Sequence, residues 1–70
     1  MAKHIQRKRF DHPALARLAA DGFADFEPDI PGVKVSAEAR EIDGEFWTYV
    51  TQEGELVTGD EPLLPDYERA

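Results

Sequence analysis

Val33–Thr51, VKVSAEAREIDGEFWTYVT, decides the fold. Val33–Ile42 alternates apolar and polar through Ala39, the signature of a half-buried strand. Asp43-Gly44 is the strongest hairpin signal in the chain and favours a two-residue type I′ turn, which needs positive φ at both positions. Glu45–Thr51 is rich in aromatic and β-branched residues and reads as the return strand. A two-residue turn fixes the register: Ile42 faces Glu45, Arg40 faces Trp47, Glu38 faces Tyr49 and Ala37 faces Val50. One face then holds Val33, Val35, Ala37, Ala39, Phe46, Thr48 and Val50, and this is the expected core face. The other holds Lys34, Ser36, Glu38 and Arg40 beside Trp47, Tyr49 and Thr51.

Working outward, Asp11–Gly22 is the best helix signal. Asp11 is an expected N-cap, Pro13 falls in the first turn, and Gly22 suits the left-handed position after the last turn. Phe10 and Leu15 have the spacing of a hydrophobic staple. Leu15, Leu18 and Ala19 form the expected apolar stripe. Phe23–Gly32, FADFEPDIPG, reads as an acidic proline-bearing loop anchored by Phe23, Phe26 and Ile30, with Pro31-Gly32 at the centre of a type II turn. Beyond the hairpin, Glu53-Gly54 suggests a second turn and Leu56-Val57-Thr58 a short third strand. The fold expected is therefore α+β, one short N-terminal helix packed on a three-stranded antiparallel meander. A single small domain over residues 11–59 is expected to carry a basic arm (1–10), extended or adding an edge strand, and an extended acidic, proline-rich tail (60–70).

The chain has 70 residues, no cysteine and a net charge of −7. A chain this short buries a small core, which excludes multidomain enzymes, Rossmann folds and barrels. Disulfides and Cys-based zinc sites are excluded as well. No stretch approaches the length of a membrane span, and the charged N-terminus lacks the apolar core of a signal peptide, so a cytoplasmic setting is expected. The absence of Asn and the excess of Arg over Lys fit a GC-rich bacterial or phage coding sequence.

Charge is divided along the chain. Residues 1–17 carry five cations against one carboxylate, and residues 18–70 carry three against fourteen. The division bears on partners rather than on fold.

Trp47, Tyr49 and Arg40, with Glu38 beside them, are the most informative cluster, because Trp, Tyr and Arg dominate interface hot spots. Leu63, Leu64 and Tyr67 of the tail are candidates to cover that face, from the same chain or a neighbour. The function expected is a small, acidic, non-enzymatic interaction module that binds a protein partner or itself through this face. Two other readings compete. In one, the acidic surface, Asp25, Glu27 and Asp29 in particular, imitates nucleic acid and inhibits a basic nucleic-acid-binding protein. In the other, Lys3, Arg7, Lys8 and Arg9 of the arm bind phosphates directly. His4 and His12 do not have metal-ligand spacing, and the sole serine, Ser36, has no nucleophile elbow around it. No catalytic residue, metal, cofactor or small-molecule substrate is expected.

Overall fold

A computed structural model describes residues 2–24 and 32–70. The element order is β1 (Ala2–Phe10), α1 (Pro13–Ala24), β2 (Val33–Ile42), β3 (Glu45–Gly54) and β4 (Glu68–Arg69). One helix packs on an antiparallel sheet of three main strands and a short fourth, in the order β2-β3-β1-β4. Because β1 and β2 are each antiparallel to β3, they run parallel to one another with β3 between them. The helix is the crossover of this split β-α-β unit, which places it across the strands it connects.

The hairpin forms as the sequence predicts. Asp43 and Gly44 have φ of 52° and 81°, the pair of positive values a type I′ turn needs. All four predicted pairings are present. Thr48 and Val50 are buried on the face beneath the helix. Ala39, on the same face but at the outer strand, is exposed.

The third long strand is not Leu56–Thr58. There the chain turns, with the Val57 N–H bonded to the Gly54 carbonyl, and leaves the sheet. The N-terminal segment takes the place beside β3: it is neither a free arm nor an edge strand but a strand paired on both sides, Ala2–Phe10 with β3 and Gln6–Arg7 with β4. The polarity of its inward face conceals it. His4 and Gln6 are almost completely buried, and each has a distant partner. His4 Nδ1 lies 3.1 Å from Gln52 Oε1, and Gln6 Oε1 accepts the Leu64 N–H at 2.7 Å. Bonded in this way, polar side chains occupy a core at reduced cost, although His4 Nε2 is buried without a hydrogen-bond partner among the described residues.

The helix starts one residue later than the sequence suggests. His12, not Asp11, is the N-cap: its carbonyl accepts the Leu15 and Ala16 N–H groups, and its Nδ1 accepts the Ala14 N–H at 3.1 Å. Pro13 is thus the first helical residue, where its missing N–H costs nothing. The helix also runs through Gly22 to Ala24 rather than stopping there. Its buried stripe is Ala16 and Ala20, flanked by half-buried Ala19 and Phe23. Leu15 and Leu18 are exposed (49% and 66%), contrary to the predicted stripe. The reason is close approach. Thr48 Oγ1 donates to the Ala16 carbonyl at 2.6 Å, and only small side chains fit between a helix and a sheet so near.

The tail is not simply extended. Glu61 closes a turn, accepting from the Thr58 and Gly59 N–H groups. Burial would raise its pKa, but these backbone donors outweigh that and hold it below the usual carboxylate value. Residues 57–67 then cross the helix side of β1, where Val57 is buried and Tyr67 meets Phe23 edge-on at 6.4 Å between centroids. Burial raises the Tyr67 pKa. Arg69 donates to the Gly59 carbonyl, and the Ala70 N–H bonds to the Ile5 carbonyl. Phe26, Ile30 and Pro31 lie outside the described residues, while Gly32 has φ 83°, as the second central position of a type II turn requires.

Three glycine substitutions separate these features by sign. Gly22→Ala lies in the last turn of the helix with open space around it and should stabilise by about 0.5–1 kcal/mol. Gly44→Ala, at positive φ, should destabilise by about 1 kcal/mol. Gly54→Ala, at φ 153°, would also drive its Cβ into the Gly32 carbonyl and should cost about 1–3 kcal/mol. Chemical denaturation of the three variants checks the order. Destabilisation by Gly22→Ala would contradict a helix that continues through that position.

Candidate functional site

The face turned away from the helix is a grid of alternating charge and aromatic rings. Period-two geometry puts the even residues of β2, the odd residues of β3 and the odd residues of β1 on it. One row crosses all four strands, Glu38–Tyr49–Arg7–Glu68, and the next reads Arg40–Trp47–Arg9. Within this grid the guanidiniums lie diagonally over the rings: Arg7 over Trp47 at 4.4 Å and Arg40 over Tyr49 at 4.9 Å. Such contacts contribute about 0.5–1 kcal/mol each at partly exposed sites. Arg7 also donates from Nη1 to the Tyr49 hydroxyl at 3.3 Å and from Nη2 to Glu68 at 3.4 Å. The Tyr49 hydroxyl is the main reason its pKa is raised, against burial and helped by Glu68. Arg7 Nε is buried without a hydrogen-bond partner among the described residues. Trp47 and Tyr49 are half-buried by this mutual packing.

Four of the five cations of the face are matched. Lys3 lies 3.9 Å from Glu53, Arg7 3.4 Å from Glu68 and Arg9 4.0 Å from Glu45, and Arg40 pairs with Glu38. These pairs are largely exposed and add little stability. Their effect is on the field: five cations face four carboxylates here, while the rest of the chain carries the acidity behind the net charge of −7.

Of the residues singled out from sequence, Trp47, Tyr49, Arg40 and Glu38 come together as expected. Leu63, Leu64 and Tyr67 do not cover them. Leu64 and Tyr67 lie on the helix side, through Gln6 and Phe23, and Leu63 is 41% exposed. The basic segment divides: Lys3, Arg7 and Arg9 share the outer face, while Lys8 opposes Thr48 on the helix face, its ammonium 4.8 Å from the Phe10 ring centroid. Asp25, Glu27 and Asp29 lie outside the described residues. Sequence reasoning missed Arg7 as the keystone of the aromatic cluster. Period-two reading of residues 3–10 would have found it, because it places Arg7 on the face opposite His4 and Gln6. His12 caps the helix, His4 is a core residue, and Ser36 stands across from Thr51 on the outer face. Among the described residues no helix is long and apolar enough to cross a membrane.

Comparison of the chain with protein families, with curated proteins and with solved structures gives no match.

A double-mutant cycle on Arg7→Leu and Trp47→Leu should give a coupling of about 0.5–1 kcal/mol by urea denaturation. Additivity of the two single losses would show that the stack contributes nothing.

Proposed function

We propose that the protein is a small non-enzymatic interaction module whose outer sheet face docks a protein partner, heterologous or a second copy, through Trp47, Tyr49, Arg7 and Arg40. One observation carries this reading. The helix and the tail both pack on the opposite face, and the side that no described element covers is the one that bears the interlocked Arg and aromatic side chains. Those residue types supply large contact area and little ordering cost, and here their rotamers are already held by one another. The neighbouring carboxylates favour a protein over a phosphate backbone. Phosphate recognition depends on unneutralised Lys and Arg, and Lys3, Arg7 and Arg9 each have an acidic neighbour. The same mixed rim gives a partner of complementary pattern its orientation and on-rate.

Affinity capture from the source cells tests this, with Trp47→Ser as the face variant and Leu18→Ser, on the exposed helix side, as the control. Wild type and Leu18→Ser should retain the same stoichiometric protein. Trp47→Ser should weaken retention by at least about tenfold, as for a hot-spot residue, with its far-UV circular dichroism unchanged. Equal retention by all three, or loss with Leu18→Ser alone, would overturn the assignment.

A further inference from the structure

The two edges of the sheet are unlike. One is closed by β4, two residues long. The other is β2, ten residues from Val33 to Ile42, and among the described residues nothing pairs with its free side. In an antiparallel ladder, alternate residues turn their backbone groups toward each neighbour. The two-residue hairpin makes Ile42–Glu45 a hydrogen-bonded pair, so the even residues of β2 bond to β3. The odd residues, Val33, Val35, Ala37, Ala39 and Glu41, therefore aim their N–H and C=O groups outward. A row of this kind is a template for another strand.

We propose that β2 pairs antiparallel with β2 of a second copy, about a twofold axis through Ser36, to form one continuous eight-stranded sheet. The strand is complementary to itself in this register. Lys34 lies opposite Glu38 of the second copy, twice by symmetry, on the outer face. On the helix face Val35 lies opposite Ala37 and Val33 opposite Ala39, so that row stays apolar. Lys34 is the outer-face cation with no ion pair among the described residues, and Glu38 already holds Arg40. Sliding the pairing by two residues toward the hairpin sets Lys34 against Arg40, and sliding it further sets Glu38 against itself. The next register restores opposite charges but places Ala37 against Glu41 and Val35 against Asp43. Sliding the other way leaves Glu38 without a partner and shortens the ladder. Like charges directly opposed are destabilising, so one register stands out. The axis is perpendicular to the sheet, so both Arg–Trp clusters face the same side. Their β3 strands lie three strand spacings apart, about 14 Å, and the docking face becomes bivalent.

Sedimentation velocity on the full chain, from micromolar to millimolar concentration, tests the pairing independently of the docking reading. Wild type should show a concentration-dependent dimer. Lys34→Glu should raise the dimer Kd about five- to tenfold, Glu38→Lys likewise, and the double swap should restore it. Ala37→Pro should abolish the dimer while the monomer still folds, because it removes an outward N–H and leaves the β3 ladder whole. Trp47→Ser should dimerise as wild type does. A monomer at every concentration would overturn the proposal. So would a dimer indifferent to Ala37→Pro and the charge swaps, and loss with Trp47→Ser alone would place self-association on the aromatic face instead.

Discussion

Nine residues of β1 pair in register with β3, from Ala2 opposite Gly54 to Phe10 opposite Phe46. This ladder gives each of its faces a different task. Toward the helix it sets His4, Gln6 and Lys8 beside Gln52, Val50 and Thr48. Away from the helix it sets Arg7 and Arg9 beside Tyr49 and Trp47. A hairpin of β2 and β3 alone is marginal in water, so the third strand is what makes the sheet a platform. It also allows the helix to cross from β1 to β2 over the central strand, where Thr48 meets Ala16.

Among the described residues the core that results is small and partly polar. Ala16, Ala20, Val50 and Val57 supply its apolar burial, while His4, Gln6 and Thr48 are buried with them. A buried polar group costs free energy unless it is bonded, and each of these three has a partner from elsewhere in the chain, Gln52, Leu64 and Ala16, with His4 Nε2 left unpaired among the described residues. The tail is consequently part of the fold. Its crossing over β1, fastened at Gly59, Leu64, Tyr67 and Ala70, supplies a donor to Gln6. With the tail committed to the helix side, no described element covers the aromatic side, which is why the docking proposal rests there.

The hairpin is legible in the sequence because a two-residue turn of Asp-Gly has few conformations and dictates every pairing beyond it. The face assignments of Val50 and Trp47 follow from that alone. Residues 2–10 are harder to read. Their inward positions are His4, Gln6 and Lys8, polar residues that hydropathy assigns to solvent. The groups that bond to His4 and Gln6 come from Gln52 and Leu64, far along the chain. Leu15 and Leu18 mislead in the opposite sense. Hydrophobicity marks them for burial, yet the close approach of Ala16 to Thr48 selects small residues for the contact and leaves the leucines outside. The candidate site shows the same division. Trp47, Tyr49 and Arg40 are visible from the hairpin, while Arg7, which bridges both rings, becomes visible only once β1 is placed.

Amide hydrogen exchange by NMR tests the place of β1 most directly. A strand held between β3 and β4 predicts that the β1 amides bonded to β3 exchange as slowly as their β3 partners around Thr48 and Val50, through the same global opening. Fast exchange across Lys3–Arg9, with β2 and β3 still protected, would contradict the account and return the segment to a free basic arm.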